Sequence, residues 1–379
     1  MKTLLHGRAV LAAAALGLIA ALPMVPSPAV ADPAGEVLGA GNFIHVVAHL
    51  ERTIAFYHDV LGLQQANLGG AAAPRFAPSP AVAQLYAIPR STPVGVAVLR
   101  LPEQGIGLEF AEFRGVAQRS PRPGPQDPGA SVLVLTVRHL DAILRQLHAA
   151  QVPVLTTGGR PVVHTDAGTT TRRIVVSDPD GYYIELVEHD PAPDAEPAGD
   201  AASAAGAVSA AGAVSAAGAA PADNVLHAEL MLAVADTDRT VHYYRDLLGL
   251  ALRVDASFAP DAALSKAFGM RHAEFRHSVA TIPGTDFKYD FVQWKGVVRH
   301  AARTRVFDHG VGVLRLVVGN VDTFVGNLKA DGVPVASTGD GPVALNAVFH
   351  ACILRDPNGL FIEPVPHFQP RRPQGQRGR

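Results

Sequence analysis

One stretch of this chain is written twice, and the repetition restricts the fold more than any other feature. Asp178-Pro179-Asp180-Gly181-Tyr182-Tyr183-Ile184-Glu185-Leu186-Val187-Glu188-His189 is matched near the end by Asp356-Pro357-Asn358-Gly359-Leu360-Phe361-Ile362-Glu363-Pro364-Val365-Pro366-His367. Each predicts a tight turn feeding a strand. Pro presets φ, Gly supplies the left-handed position, and the leading Asp can accept hydrogen bonds from the backbone that follows it. Alternation then sets Tyr183, Glu185 and Val187 on one face and Tyr182, Ile184 and Leu186 on the other. Glu185 and Glu363 are carboxylates in the middle of apolar strands. Such a group is costly to bury unless paired or ligating, so its recurrence marks a site. Taken by itself the stretch also fits an edge strand with the Glu in solvent.

The rest of the chain repeats too. Thr53-Ile54-Ala55-Phe56-Tyr57-His58-Asp59-Val60-Leu61-Gly62-Leu63 returns as Thr240-Val241-His242-Tyr243-Tyr244-Arg245-Asp246-Leu247-Leu248-Gly249-Leu250. Apolar residues at i, i+3 and i+7 predict a helix face, and Gly62 and Gly249 stop each helix. A strand precedes each helix, over Phe43–Leu50 and Leu226–Val234. Ser79 and Asp261 suit the N-caps of two further short helices. Strands follow at Val94–Leu101 and Gly107–Phe113, with counterparts at Ser278–Ile282 and Phe287–Trp294. Strand, helix and strand then recur: Val132–Val137, Asp141–Ala150 and the Glu185 strand; Val313–Val318, Asp322–Ala330 and the Glu363 strand. Between the halves, 191–222 collapses to Ala, Gly, Ser, Pro and Asp, the composition of a flexible linker. The expectation is α+β, with two halves at 41–190 and 223–368, each of two βαβββ units, and a basic tail at 369–379 with the composition of a disordered segment.

These motifs together resemble the vicinal oxygen chelate superfamily: a strand with His45, the Phe-Tyr-x-Asp-x-Leu-Gly-Leu helix, a Leu108-Glu109 strand, then Asp-Pro-x-Gly-x-x-Ile-Glu. That group includes glyoxalase I, extradiol dioxygenases, epimerases, fosfomycin-resistance proteins and bleomycin-binding proteins. The resemblance implies two tandem domains whose paired βαβββ units form curled mixed sheets with helices outside. It also implies metal ligands pointing inward from the first and last strand of each unit. Carried onto this sequence, those positions are His45, Glu109 and Glu185 in the first half, with Val132 where a His is common. In the second half they are Glu229, Asp290 and Glu363, with Val313 at the fourth place and His227 beside Glu229. Phe43 and Tyr183, flanking His45 and Glu185, are the implied substrate contacts.

One His and two carboxylates with open positions suit a divalent cation, Mn²⁺ or Mg²⁺ before Zn²⁺ or Ni²⁺; lacking the second His, they depart from the Fe(II) triad. The implied function is a metal-dependent lyase, isomerase or dioxygenase acting on a small oxygenated molecule, with Glu185 or Glu109 moving the proton. The alternatives are a cup that sequesters a ligand without chemistry, as in the bleomycin-resistance relatives, and a scaffold whose sites have decayed.

The ends and composition bound the setting. Lys2 and Arg8 precede an apolar run over Ala9–Leu22, and Ala29-Val30-Ala31 is a small-x-small cleavage site, so 1–31 predicts a signal peptide and a periplasmic or secreted protein with no membrane span after cleavage. With 32 Lys and Arg against 34 Asp and Glu the formal charge is −2, which gives no argument for nucleic acid or an anionic membrane surface as partner. Cys352 is the sole cysteine and sits in an apolar run, which predicts a buried, inert thiol. Nothing in the sequence sets the oligomeric state.

Overall fold

The computed structural model describes residues 35–66, 75–102, 106–190 and 224–367. The expected leader (1–31), linker (191–222) and tail (369–379) lie outside the described residues. No helix among the described residues is long and apolar enough to cross a membrane.

After β1 (Val37–Ala40), the first unit runs β2 (Phe43–Val47), α1 (Leu50–Ala55), β3 (Arg75–Phe76), α2 (Pro80–Leu85), β4 (Val94–Arg100) and β5 (Gly107–Phe113). The second is β6 (Ser131–Val137), α3 (Leu140–Ala149), β7 (Val162–Asp166), β8 (Thr169–Ser177) and β9 (Tyr183–Asp190). The third is β10 (Val225–Val234), α4 (Thr237–Val241), β11 (Ala251–Val254), β12 (Ala259–Pro260), α5 (Ala262–Ala267), β13 (Glu274–Thr281) and β14 (Lys288–Lys295). The fourth is β15 (Gly312–Val318), α6 (Val321–Ala330), β16 (Val343–Ala344), β17 (His350–Ala351), β18 (Leu354–Arg355) and β19 (Phe361–Pro366).

The caps behave as their chemistry requires. Ser79 Oγ accepts from the Val82 N–H at 3.2 Å, and Asp261 Oδ1 accepts from the Leu264 N–H at 2.8 Å. Helices α1 and α4 both widen into π-helical turns, Phe56–Val60 and His242–Leu247. The wider turn lets two adjacent aromatics bury together, Phe56 with Tyr57 and Tyr243 with Tyr244. Gly62 and Gly249, at φ 82° and 75°, then end the helices in the left-handed region.

The chain is α+β with two open mixed sheets, each of two βαβββ units. The units that share a sheet come from different halves of the sequence. Sheet A runs β18-β19-β15-β2-β5-β4-β3, joining the fourth unit to the first, with β1 also on β15. Sheet B runs β11-β13-β14-β10-β6-β9-β8-β7, joining the third to the second, with β12 on β13. The β10–β6 junction is a long antiparallel ladder from Val225↔Val137 to Leu232↔Ser131. The β15–β2 junction is short, Gly312↔His45 and Val313↔Ile44, and β1 extends it along β15 to Val318.

One face of each sheet carries α1, α3, α4 and α6 and feeds a single core drawn from all four units, including Tyr57, Leu133, Ile184, Leu230, Tyr244 and Leu314. The opposite face carries the charged residues of interest and is the site face below. In sheet A it packs under α2 with Ile44, Val96, Val313 and Phe361; in sheet B it packs under α5 with Val132, Met231, Val292 and Trp294. Cys352 is buried, and burial pushes its thiol up to about 11, as expected of an inert group.

Candidate functional site

The structure does not bring His45, Glu109 and Glu185 together, and the expected first ligand set is corrected by strand register. In the parallel β2–β5 pair Ile44 is level with Glu109 and His45 with Phe110. Side chains at paired positions share a face, so His45 and Glu109 point to opposite sides of sheet A. His45 does share its face with Phe43 and Val47, as parity predicts, but that is the helix face. Glu185 lies in sheet B. Phe43 belongs to the shared core, lying beneath Gly312, whereas Tyr183 packs on the site face of sheet B.

His45 has another role. Its Nε2 lies 2.9 Å from Asp178 Oδ2, and its ring packs on Tyr182 at 4.4 Å between centroids. Asp178 also accepts from the N–H groups of Asp180 and Tyr182, both at 2.8 Å, and from the Tyr57 hydroxyl at 3.2 Å. Asp180 accepts from the Ala48 N–H, Arg52 and the Thr53 hydroxyl at 3.0 to 3.1 Å. Donor atoms of His45, Asp178 and Asp180 all lie within 4.8 Å of one another, close enough to be weighed as an ion site. Their oxygens are already spent on hydrogen bonds. The second half repeats the arrangement with Tyr244 on Asp356, and with the Asn358 amide bridging the Ala235 N–H and Thr240. There Asn replaces Asp180 and Leu232 replaces His45. The same latch forms in the second half with a neutral amide and a leucine in these places, and in both halves it seats the Asp-Pro-x-Gly turn on the preceding unit.

On the site face of sheet A, Glu109 and Glu363 meet over Arg315, a residue not singled out above. Its guanidinium donates to Glu109 Oε2 at 2.8 Å and to Glu363 Oε2 at 3.0 Å. Asn42 accepts the Gly107 N–H through Oδ1 at 2.9 Å, which orients its amide to donate to Glu109 at 3.2 Å. The Arg315, Glu109 and Glu363 side chains are 4%, 1% and 2% exposed, a closed triad. Burial works against the Arg315 charge, but Glu109 and Glu363 outweigh it and hold the guanidinium firmly protonated. A lone charge inside Val313-Leu314-Arg315-Leu316 is the signal that could have found it, the same oddity that singled out Glu185.

The site face of sheet B gathers the rest. Register places Glu229 level with Val134 and Val134 level with Glu185, and Asp290 level with Met231, two residues along from Glu229. Thus Glu185 of the first half faces Glu229 and Asp290 of the second, while Glu363, expected with the latter two, belongs to sheet A. Aligning Thr53 with Thr240 makes Asn42, not His45, the counterpart of Glu229. Two further residues join them. His277 Nδ1 lies 2.8 Å from Asp290 Oδ2, and an Arg173 guanidinium nitrogen lies 3.2 Å from Glu185 Oε1. This face is more open than that of sheet A, with His277, Asp290 and Arg173 side chains 26%, 18% and 23% exposed around a 2% exposed Glu185.

The electrostatics are unbalanced. Burial raises the Glu185 carboxyl to about 7, with Glu229, Asp261 and Asp290 adding to the rise and only Arg173 opposing it. Arg173 meets Glu185 by distance but not with hydrogen-bond geometry: Glu185 Oε1, Asp290 Oδ1 and Arg173 Nε are all buried without a hydrogen-bond partner. Burial works to lower His277, but the Asp290 hydrogen bond and the charges of Asp290, Asp255 and Asp261 raise it above the ordinary imidazole value.

A pH effect follows. An acid whose folded pKa is raised from 4.5 to about 7 contributes stability that is complete at the acid end and lost as pH rises through 7. The thermal midpoint of the parent should therefore fall between pH 4.5 and 7 relative to Glu185→Gln, whose amide stays neutral. Asp356, raised by burial to about 6, adds the same trend to both proteins. Superimposable profiles would show that the Glu185 carboxylate is not strained by its surroundings.

The family model for the Glyoxalase/Bleomycin resistance protein/Dioxygenase superfamily matches residues 41–186 and 225–363. The chain belongs to this superfamily. Among solved structures, glyoxalase I of Zea mays is 15% identical, with 87% of this chain and 92% of that one covered at a TM-score of 0.48. A glyoxalase family protein of Bacillus cereus is 19% identical, covering 42% of this chain and 99% of its own at a TM-score of 0.34. No curated protein matches the chain. The two superfamily matches fall on the two sequence halves, whereas both polar sites draw one unit from each.

Proposed function

We propose that this superfamily member uses the site face of sheet B to bind a small oxygenated molecule together with a divalent cation, and that it catalyses proton transfer beside a carbonyl or hydroxyl oxygen, in the manner of a lyase or isomerase. The observation that carries this reading is the environment of Glu185: it shares a face with Glu229 and Asp290, and one buried oxygen each of Glu185 and Asp290 lacks a hydrogen bond. Glu229, Asp290 and His277 would hold a hard or borderline divalent ion if their side chains draw together around it. Such an ion polarises a substrate oxygen and stabilises the negative charge that develops there. Glu185, poised near neutrality, accepts and returns the proton. Arg173 offers its unpartnered Nε to a second substrate oxygen, and Tyr183 lies further along β9 on the same face. A single imidazole disfavours the two-His, one-carboxylate iron chemistry of ring cleavage. The leader-like start of the sequence supports action outside the cytoplasm.

The test uses Trp294, the only tryptophan, which lies on β14 on the same face as Asp290. Mn²⁺ should quench its fluorescence saturably in the parent. Asp290→Asn or Glu229→Gln should lose the effect, and His45→Ala, on the other side of sheet A, should keep it. No uptake by the parent after reconstitution with Mn²⁺, Zn²⁺ and Ni²⁺ would leave ligand sequestration without metal as the reading. Loss in His45→Ala alone would move the ion to the latch.

A further inference from the structure

We propose that Arg315 is the resident cation of sheet A: its guanidinium stands where a divalent ion would otherwise sit, so a second cation site exists in this fold and is held shut by the chain itself. The two sheets are built alike, and their matching positions differ in one decisive way. Glu109 on β5 corresponds to Asp290 on β14, and Glu363 on β19 to Glu185 on β9. Aligning Asp127 with Asp308, each four residues before its strand, makes Arg315 on β15 the counterpart of Val134 on β6. In sheet B the matching carboxylates face a valine, and although Arg173 stands 3.2 Å from Glu185 and His277 2.8 Å from Asp290, one oxygen of each carboxylate is left without a hydrogen bond. In sheet A they converge on a guanidinium with charge-assisted bonds of 2.8 and 3.0 Å.

The surroundings fit the arginine. A Cβ on Gly41 would lie 2.7 Å from Arg315 Cδ and 2.8 Å from Cγ, so this backbone passes close enough to the stem that glycine alone fits without displacing it. The Gly41 N–H also bonds the Arg315 carbonyl at 2.9 Å. Next to it, Asn42 turns its amide toward Glu109, where the sheet B counterpart, Glu229, would add another negative charge. Buried Tyr86 lies against the triad from α2. Asn for Glu and Arg for Val move the charge in the positive direction, while Arg173 of β8 gives way to Ala351, so the counter-cation in sheet A comes from β15 and lies between both carboxylates.

Exchanging the tethered cation for a neutral metal-binding side chain should open the site. Arg315→His leaves Glu109 and Glu363 with an imidazole between them, a donor set for Zn²⁺, Ni²⁺ or Mn²⁺. The full chain carrying Arg315→His should take up an additional ion per chain over the parent. Its thermal midpoint, lowered without metal, should rise on adding Zn²⁺ or Ni²⁺ by more than the parent's does. Both gains should vanish in Arg315→His combined with Glu109→Gln and Glu363→Gln. The comparison is differential, so failure of the sheet B reading would change the parent's baseline and leave this increment intact. An Arg315→His protein that gains no metal over the parent and is not recovered by metal, whether or not it folds without it, overturns the proposal. So does a gain that survives removal of both carboxylates.

Discussion

Cutting the chain between Pro191 and Ala222 should leave one particle, not two. Both fragments should co-elute under native conditions and separate only in denaturant. The halves share a core, and β6 with β10, a longer junction than β2 with β15, lies between them. Burial of residues such as Leu133, Leu135, Leu230 and Leu232 is worth about 1.5–3 kcal/mol for each side chain. Loops cross as well: Gln118 donates to the Phe307 carbonyl at 2.7 Å, the Arg119 N–H to Asp308 at 2.9 Å, and Arg305 to the Ala117 carbonyl at 2.8 Å. Either half made alone should aggregate or self-associate, because it exposes an apolar edge at β6 or β10 that is normally paired. Composition and repeats suggest two separable pieces; the topology replaces that expectation. Fragments recovered as folded monomers would disprove the shared core.

The second large effect is expected from Arg315→Met. It removes the only cation from a triad whose carboxylates are 1% and 2% exposed, leaving Glu109 and Glu363 buried against each other. Breaking a buried pair in this way costs about 3–5 kcal/mol, a large part of the roughly 5–15 kcal/mol that holds a typical domain. The urea midpoint should drop accordingly. Without the guanidinium two like charges are left buried against each other, so the loss should shrink as pH is lowered and protonation removes that repulsion. Adding Glu109→Gln and Glu363→Gln to Arg315→Met should restore much of the stability at neutral pH. A drop that is independent of pH and unrelieved by the neutral triple would mean that Arg315 acts through its stem packing on Gly41 and not through its charge.

Much was legible in the sequence because it is local. The Asp-Pro-x-Gly turns, the helix-stopping glycines, the Ser79 and Asp261 caps and the alternation that pairs Tyr183 with Glu185 are fixed by contacts within a few residues, and they stand as read. The family resemblance rests on the same local signals. Even the parity of His45 was readable, since alternation needs only the strand itself. What parity cannot say is which side of a strand becomes the core. That depends on the neighbour: Ile44 sits level with Glu109, and so His45 is turned to the helices and to Asp178.

Partnership between units was not legible at all. Four similar βαβββ units can pair within a half or across the halves with nearly the same local chemistry, and each choice satisfies the same backbone groups. Only the assembled core and the register of β6 on β10 decide for crossing, and with that decision the candidate residues regroup. Glu185 leaves His45 for Glu229, Asp290 and His277; Glu109 and Glu363 come together on Arg315. The sequence alone determined which residues are expensive to bury. The tertiary structure determined which of them share a face, because long-range strand pairing is a property of two surfaces and neither strand specifies it alone.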